Sequence, residues 1–170
     1  MHLSAVVLMG LFLAHSPSPR AQSQAEPAGD FGFRLEVGDC LTETFDTFSG
    51  VFSKDLGGDP GRSATTRFSL TDLQMRAIYQ TMEQIRLFDY PSPFNGVPSG
   101  LSEVGTFHPA NSYRLEVRNG GVVHTVIWKD AYRPTTTEAD RLRALLSMIV
   151  GFIHDHPNFK LLPRPIGGCE

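Results

Sequence analysis

The chain has 170 residues, a formal net charge of −3 and a hydrophobic content of 41%. That hydrophobic fraction is enough to build a core, which excludes a disordered chain, and the length suits one ordinary domain after a short leader. The sequence has no basic run and no acidic tail. Its charge therefore gives no electrostatic footprint for nucleic acid or for an anionic membrane surface.

The first segment is apolar and uncharged from Leu3 to Ala14, and it ends at Ser16-Pro17-Ser18-Pro19-Arg20. A spanning helix needs about 20 apolar residues, so this run is too short to cross a bilayer comfortably. Its length is typical of a secretory signal peptide followed by small residues at the cleavage site. The alternative is an amphipathic helix of the domain, but the run shows no polar face.

We therefore expect the protein to be exported to a periplasmic or extracellular location. Cleavage after Ala21 or Ala25 leaves a small residue at the new carboxyl end. The predicted organisation is a signal peptide over 1–21, a spacer over 22–30 and one α+β domain over 31–170, with no transmembrane anchor in the mature chain.

The chain has two cysteines, Cys40 and Cys169, and an exported protein with two cysteines allows one intramolecular disulfide. Such a bridge would tie the C-terminal tail to the end of the first predicted strand. Closing so long a loop adds about 4–5 kcal/mol in the chain-entropy account. The spacing does not show that the sulfurs meet, so a free Cys169 remains the alternative.

Four segments of the first half have clear local patterns. Alternation of apolar and charged residues from Phe33 to Val37 predicts a strand, and a second strand is predicted from Phe45 to Phe52 with a bulge at Gly50. The glycines at 57–61 predict a hairpin loop before a third strand over 65–69. Thr71-Asp72-Leu73-Gln74 matches a capping box and starts a predicted helix that ends at Tyr90-Pro91.

The second half repeats the order of strands and then helix. Residues 91–111 are rich in Pro and Gly and predict a long irregular loop, of the kind that often carries function. Strands are predicted on both sides of the turn Asn119-Gly120-Gly121, with a loop of either two or three residues. A capping signal at Thr135-Thr136-Thr137-Glu138 starts a last helix predicted to run to His156, before Pro157.

These elements together predict an α+β fold. We expect a two-layer sandwich with an antiparallel sheet of about five strands and two amphipathic helices on one face. The helices are predicted over Thr71–Tyr90 and Thr135–His156. The strand order does not follow from the sequence.

The catalytic candidates are weak. Asp46-Thr47 resembles part of an aspartic-protease signature, but Phe48 stands where that signature has Gly, and no second copy exists. His154 and His156 lie two apart at a helix end, a spacing that favours capping over a shared ligand site. A histidine–carboxylate site would draw on scattered residues, namely His108, His124, Glu103 and Asp130. The sequence predicts no metal site and no cofactor.

Several short segments resemble a family of uncharacterised bacterial exported proteins and lipoproteins. The likeness rests on Asp46-Thr47-Phe48, Phe52-Ser53-Lys54-Asp55-Leu56 and Phe88-Asp89-Tyr90-Pro91, and it extends weakly through Trp128-Lys129-Asp130 to Pro165-Ile166-Gly167-Gly168. The resemblance implies an exported or envelope location and attaches to no known activity. The chain has no Cys after its apolar run, so lipid anchoring is not implied.

A polar cluster in and just after the second predicted strand suggests a binding site, and its members are Asp46, Thr47, Lys54 and Asp55. The alternative is that these side chains stabilise the hairpin itself. Arg114, Glu116 and Arg118 line one strand face, either as a solvated face or as a binding surface.

Two main functional hypotheses follow, and a third confines function to the loop from Pro91 to Asn111, with the two helices serving only to close the sheet. The first is a non-enzymatic exported domain that binds an envelope protein or peptide through an open sheet face. The second is an envelope hydrolase with the histidine–carboxylate set named above. A cleft in which a histidine and a carboxylate converge would favour the second hypothesis.

Overall fold

The computed structural model describes residues 26–39, 41–58, 61–100 and 104–166. It contains the following elements in chain order: β1 (Gly32–Val37), β2 (Glu43–Asp46), β3 (Val51–Asp55), β4 (Ser63–Arg67), α1 (Asp72–Gln84), a 3-10 turn (Leu87–Asp89), β5 (Gly105–Thr106), β6 (Ser112–Asn119), β7 (Val122–Lys129), β8 (Tyr132–Arg133), α2 (Thr137–Asp155) and α3 (Pro157–Lys160). The α+β prediction is confirmed.

The main sheet has six strands in the order β4-β3-β2-β1-β6-β7, and all its pairings are antiparallel. Strands β5 and β8 form a separate two-stranded sheet. Strands β7 and β4 are therefore the two edges of the main sheet. Strand β1 lies inside it and joins the N-terminal meander to the β6–β7 hairpin.

The prediction of one strand from Phe45 to Phe52 is wrong, and this is why the sheet has six strands rather than five. The Asp46 carboxylate accepts the Phe48 N–H at 2.8 Å and the Ser49 hydroxyl at 2.9 Å, which stabilises a turn. Gly50 adopts φ 66°, a conformation that suits glycine. Strands β2 and β3 therefore run antiparallel on either side of this turn.

One face of the sheet is covered by α1 and α2, which contact each other. Alternate strand residues such as Leu35, Phe45 and Leu115 are buried together with Met82 of α1 and Leu145 of α2 in one apolar core. At about 25 cal/mol per Å² of buried apolar surface, this core is the main stabilising contribution to the fold. The intervening strand residues, including Arg34 and Arg114, lie on the opposite face, and we call this the outer face.

The first helix begins as predicted. Thr71 is its N-cap, the Gln74 N–H donates to the Thr71 hydroxyl oxygen, and the Thr71 N–H donates to the Gln74 side chain. The regular helix ends earlier than predicted, at Gln84, and the 3-10 turn then leads to Tyr90. Helix α2 starts one residue later than its capping signal suggested, because Thr136 is the residue whose side chain accepts the Ala139 N–H.

The β6–β7 hairpin has the two-residue loop, with Asn119 opposite Val122. Gly120 and Gly121 have φ of 59° and 77°, which is the geometry of a type I′ turn. The residues just before β1 bind this turn: the Asp30 carboxylate accepts the N–H groups of Gly120 and Gly121 at 2.7 and 2.8 Å. Part of the predicted spacer is thus attached to the domain.

Helix α3 begins at Pro157 and packs against β3 and β4, at the end of the sheet away from β7. The ring of Phe159 lies 5.2 Å from the ring of Phe52, edge to face, and the Lys54 ammonium lies 4.8 Å from the centre of the same Phe159 ring. Beyond α3, the Ile166 N–H donates to the Leu56 carbonyl at 2.6 Å. The C-terminal segment is therefore bonded to the end of β3 and runs along the surface of the domain.

Some predictions fall outside the described residues. They concern the signal peptide over 1–21, the disulfide between Cys40 and Cys169, and a role for Glu103. Within the residues that the structure describes, no helix is long and apolar enough to cross a membrane.

Candidate functional site

Three of the four predicted binding residues bond to the backbone of the hairpins that carry them. Asp46 holds the β2–β3 turn as described above. The Thr47 hydroxyl donates to the Phe33 carbonyl at 2.9 Å and accepts the Phe33 N–H at 2.8 Å, and the Asp55 carboxylate accepts the Thr42 N–H at 3.0 Å. The hydrogen-bonding groups of these side chains are used by the backbone. This agrees with the alternative that they stabilise the hairpin.

Lys54 does not join the other three. Strand alternation places it on the inner face, where only 6% of the residue is exposed and its ammonium packs against Phe159. It is directly opposite Glu43 in the β2–β3 register. The sequence thus identified an unusual lysine, but Lys54 lies on the inner face of the sheet, whereas Asp46 and Asp55 lie on the outer face.

The predicted histidines and Asp130 do not converge: His124 lies on β7, Asp130 follows its end, and His108 lies between β5 and β6. Asp130 follows His124 by six positions at about 3.3 Å per residue, so the two lie roughly 20 Å apart. His108 is at the Asp130 end, since the preceding Phe107 N–H donates to the Ala131 carbonyl at 2.7 Å. Among the described residues, no hydrogen bond joins either histidine to Asp130. His124 packs against Phe88, and its Nε2 is buried without a hydrogen-bond partner.

The Asp130 carboxylate is bound by two arginines instead. Arg143 of α2 donates from Nε at 2.6 Å and from Nη2 at 2.8 Å, and Arg133 donates at 2.7 Å. Burial alone would raise the pKa of Asp130, but the hydrogen bonds from Arg143 and Arg133 more than offset it and hold that pKa below its usual value. Asp130 is thus an ionised anchor that ties the end of β7 to α2.

The histidine–carboxylate pair that the fold does form was missed by the sequence analysis. His154 Nε2 lies 2.7 Å from a Glu43 carboxylate oxygen, and the His154 ring stacks on Phe159 at 4.3 Å between centroids. The two residues are far apart in sequence and meet because α2 crosses β2. The pattern around His154 showed only that it was near a helix end, so no local signal could have identified its partner.

The volume of the cavity beside this pair limits what can bind there. The cavity that Glu43 and His154 line has a volume of about 10 Å³. A buried water needs about 10–15 Å³, so the cavity holds one water at most and no organic substrate. The Glu43–His154 contact therefore fastens α2 to the sheet, and the cavity beside it is too small for an organic substrate.

A more open site lies along the outer edge of β7. In the β6–β7 ladder, Val122, His124, Val126 and Trp128 bond toward β6, and the alternate residues direct their backbone groups away from it. The Phe94 N–H donates to the outward carbonyl of Ile127 at 2.8 Å, which confirms this orientation. Val123 and Thr125 are left with outward N–H and C=O groups that bond to no described residue. We call this stretch, Val122–Thr125, the free edge.

Val122 and Val123 of the free edge, and Ile127 just beyond it, are apolar and exposed. The exposed fractions are 60% for Val122, 54% for Val123 and 42% for Ile127. Natural edge strands are usually protected by charges, prolines or bulges, and the free edge has none of these. The other edge strand, β4, carries Ser, Ala, Thr and Arg, and its Arg67 carbonyl accepts the Asn158 side-chain N–H at 2.8 Å. The free edge is therefore the least protected strand surface of the main sheet.

A pocket of about 340 Å³ lies between the loop after α1 and the first turns of α2, and we call it the α2 pocket. Tyr90 and Phe94 supply apolar wall, and its charged residues are Arg86, Asp89, Glu138 and Arg141. The volume is within the range of small-ligand sites, about 300–1,000 Å³.

Among the described residues, no group of His, Cys, Asp and Glu side chains is arranged to hold a metal ion. No protein-family model matches the chain, and a comparison with curated proteins finds no match. The free edge and the α2 pocket are surface features with room for a partner or a ligand.

Proposed function

We propose that the chain is a non-enzymatic exported domain that binds an extended segment of an envelope protein or peptide along the free edge of β7. The observation that carries this proposal is the pair of outward, unbonded backbone positions at Val123 and Thr125, flanked by exposed apolar side chains. A partner strand added there would form backbone hydrogen bonds at both positions.

The side chains around the free edge indicate what kind of segment fits. On the outer face, a bound segment would place its side chains directly beside Val123 and Thr125. β-Branched or other apolar side chains pack best against these two residues. The apolar run of the N-terminal leader and the resemblance to exported bacterial proteins support an envelope location for this binding.

The alternative function, an envelope hydrolase, has no described cleft in which a histidine meets a carboxylate beside substrate-sized space. Its predicted residues His124 and Asp130 are about 20 Å apart on one strand. The pair that does form, Glu43 and His154, has room for one water. The free edge therefore supports the binding proposal better.

The test is photo-crosslinking in the native cell. The full chain is expressed with a photoreactive amino acid at position 123, and in a parallel strain at position 65 of β4. Proteolytic cleavage of the leader is read from the mass of the exported form. We expect discrete adducts from position 123 and none from position 65.

A pair of proline variants shows whether the backbone carries the binding. Thr125→Pro removes an outward N–H of β7, and Thr65→Pro does the same at the outward side of β4, so neither removes a ladder hydrogen bond. We expect Thr125→Pro to abolish the adducts and Thr65→Pro to leave them, with both proteins folded by circular dichroism. Equal adducts in both variants, or no adducts from wild type at position 123, would contradict the proposal.

A further inference from the structure

We infer that the segment bound at the free edge carries one large apolar side chain, aromatic or leucine, and that this side chain fills a pocket on the outer face around Ile127. This inference rests on the proposed function and adds its specificity. The backbone of the free edge accepts any extended segment, whereas the pocket selects those that carry such a side chain.

The pocket is built partly by the strand that carries the free edge, and we call it the edge pocket. Its volume is about 350 Å³. It is lined by Pro93, Phe94, Asn95, Ile127, Lys129 and Tyr132. Ile127 and Lys129 belong to β7, whereas the α2 pocket has no lining residue on that strand. The volume is at the lower end of the range for small-ligand sites, about 300–1,000 Å³, which suits one bulky side chain.

A side chain beside Thr125 reaches the edge pocket. Val123, Thr125 and Ile127 alternate along β7 and therefore lie together on its outer face. A residue of an added strand next to Thr125 has Ile127 as its diagonal neighbour, about 7–8 Å away, a distance that long and aromatic side chains span. An added strand places a side chain beside Thr125 whichever way it runs, so both orientations reach the pocket.

The backbone of β7 is already occupied at the level of the edge pocket. The Phe94 N–H donates to the Ile127 carbonyl at 2.8 Å, and the Phe94 ring lies 5.9 Å from the Trp128 ring on the inner side. Pro93 and Asn95 are exposed and form a wall of the pocket on the outer side. A bound segment therefore reaches this part of β7 through a side chain rather than through its backbone.

The lining of the edge pocket favours an apolar group. Ile127 and Tyr132 are exposed by 42% and 39%, so both offer apolar surface to a ligand. The Lys129 ammonium lies 3.7 Å from the Asp39 carboxylate, which leaves its alkyl stem to the pocket. An apolar side chain would remove apolar surface from water here, whereas a charged one would lose hydration without gaining an unpaired partner.

The experiment passes two heptapeptide libraries over the immobilised full chain, both acetylated at the N-terminus and amidated at the C-terminus. In the first library every position is Ala, Ser, Thr or Val. The second library differs only at the fourth position, which is Phe, Tyr, Trp or Leu. Retained peptides are sequenced by mass spectrometry, and the best are titrated beside versions with Ala at the fourth position. We expect the large side chain to tighten binding about tenfold, as for burial of one apolar side chain.

Two variants of the edge pocket should remove this preference. Ile127→Lys places a charge in the pocket, and Asn95→Trp fills the pocket from its wall without adding a charge. Both positions are exposed, and circular dichroism checks that both proteins are folded. The matched control is Leu73→Lys, which changes an apolar residue that is 79% exposed on α1 and should keep the preference.

Equal retention of the two libraries, or a preference that survives either folded variant, overturns the inference. If both libraries are retained equally and Thr125→Pro abolishes the binding of both, the free edge still binds a strand and only the side-chain assignment is lost. A preference that persists in Thr125→Pro would show that large side chains bind apart from an added strand, and it overturns the inference too. Retention of neither library overturns it as well, while the crosslinking test above judges the proposed function separately.

Discussion

Asp130 shows how much of a residue's role depends on a partner that the local sequence does not reveal. The sequence analysis named it as a carboxylate of a histidine–carboxylate site. Its partners are arginines, and Arg143 also packs its guanidinium 5.4 Å from the centre of the Trp128 ring. The register of α2 on β7 brings these groups together, and no local pattern contains that register.

We expect Asp130→Asn to lower the free energy of unfolding by about 2 kcal/mol at pH 7, since it removes charged hydrogen bonds and leaves Arg143 partly unpaired. Urea unfolding of both proteins measures this difference. Asp155→Asn is the matched control, because Asp155 is a well-exposed carboxylate that contacts only Lys160, at 3.3 Å. Its effect should be close to zero.

The same carboxylate predicts a pH dependence. Because the pKa of Asp130 is lowered in the folded protein, its contribution is fully present above the ordinary value of 3.8 and is lost as pH falls through the lower folded value. The stability gap between wild type and Asp130→Asn should therefore be constant from pH 7 to 5 and shrink below about pH 4. A gap that stays constant down to pH 2.5 would show that the ionised form gives no stability.

At the scale of elements, periodicity predicted the two long helices and most strands but not α3, and turn chemistry located the β6–β7 hairpin. The error was at Phe45–Phe52, where alternating aromatic residues suggested one strand. Asp46, Ser49 and Gly50 are turn-forming residues, and they outweighed the alternation. The start of α2 was missed by one position because successive threonines give the same capping signal.

The α2 cap allows a direct comparison within this run of threonines. We expect Thr136→Ala to cost about 1 kcal/mol, since it removes the acceptor of the Ala139 N–H. Thr137→Ala changes an exposed first-turn residue that makes no such bond and should cost a few tenths of a kcal/mol at most. Thermal unfolding of the two variants would reject the assignment if their order were reversed.

At the scale of the whole molecule, two separate sets of elements cover the inner face of the sheet. Helices α1 and α2 cover its middle, and α3 with the tail covers the β2–β4 end. The sequence analysis ended its last helix before Pro157 and could not show where the following residues pack, because Phe159 meets Phe52 and Lys54 across most of the chain. The free edge exists because β7 is the last strand of the sheet, and the strand order could not be predicted from the sequence.

Phe159→Ala should therefore loosen one end of the molecule more than the other. We expect a loss of about 2 kcal/mol, below the value for a fully buried phenylalanine because this ring is only half-buried. Hydrogen exchange should increase in β2–β4 more than in β6 and β7. Leu161→Ala, which changes a nearby exposed side chain, should leave both regions protected. A uniform increase in exchange would show that the two ends unfold as one unit.

The pairing of β1 with β6 also bears on how the chain folds. Strands β1 to β4 form a meander and β6 and β7 form a hairpin, so each group needs only contacts between neighbouring segments. The β1–β6 ladder, from Gly32 opposite Arg118 to Val37 opposite Tyr113, is the one strand pairing in the main sheet between distant parts of the chain. Closing that long loop carries the largest entropic cost of any strand pairing here, so it should limit the folding rate. The bonds from Asp30 to the Gly120–Gly121 turn lie at the end of this seam, where they would hold the two halves in register as it forms.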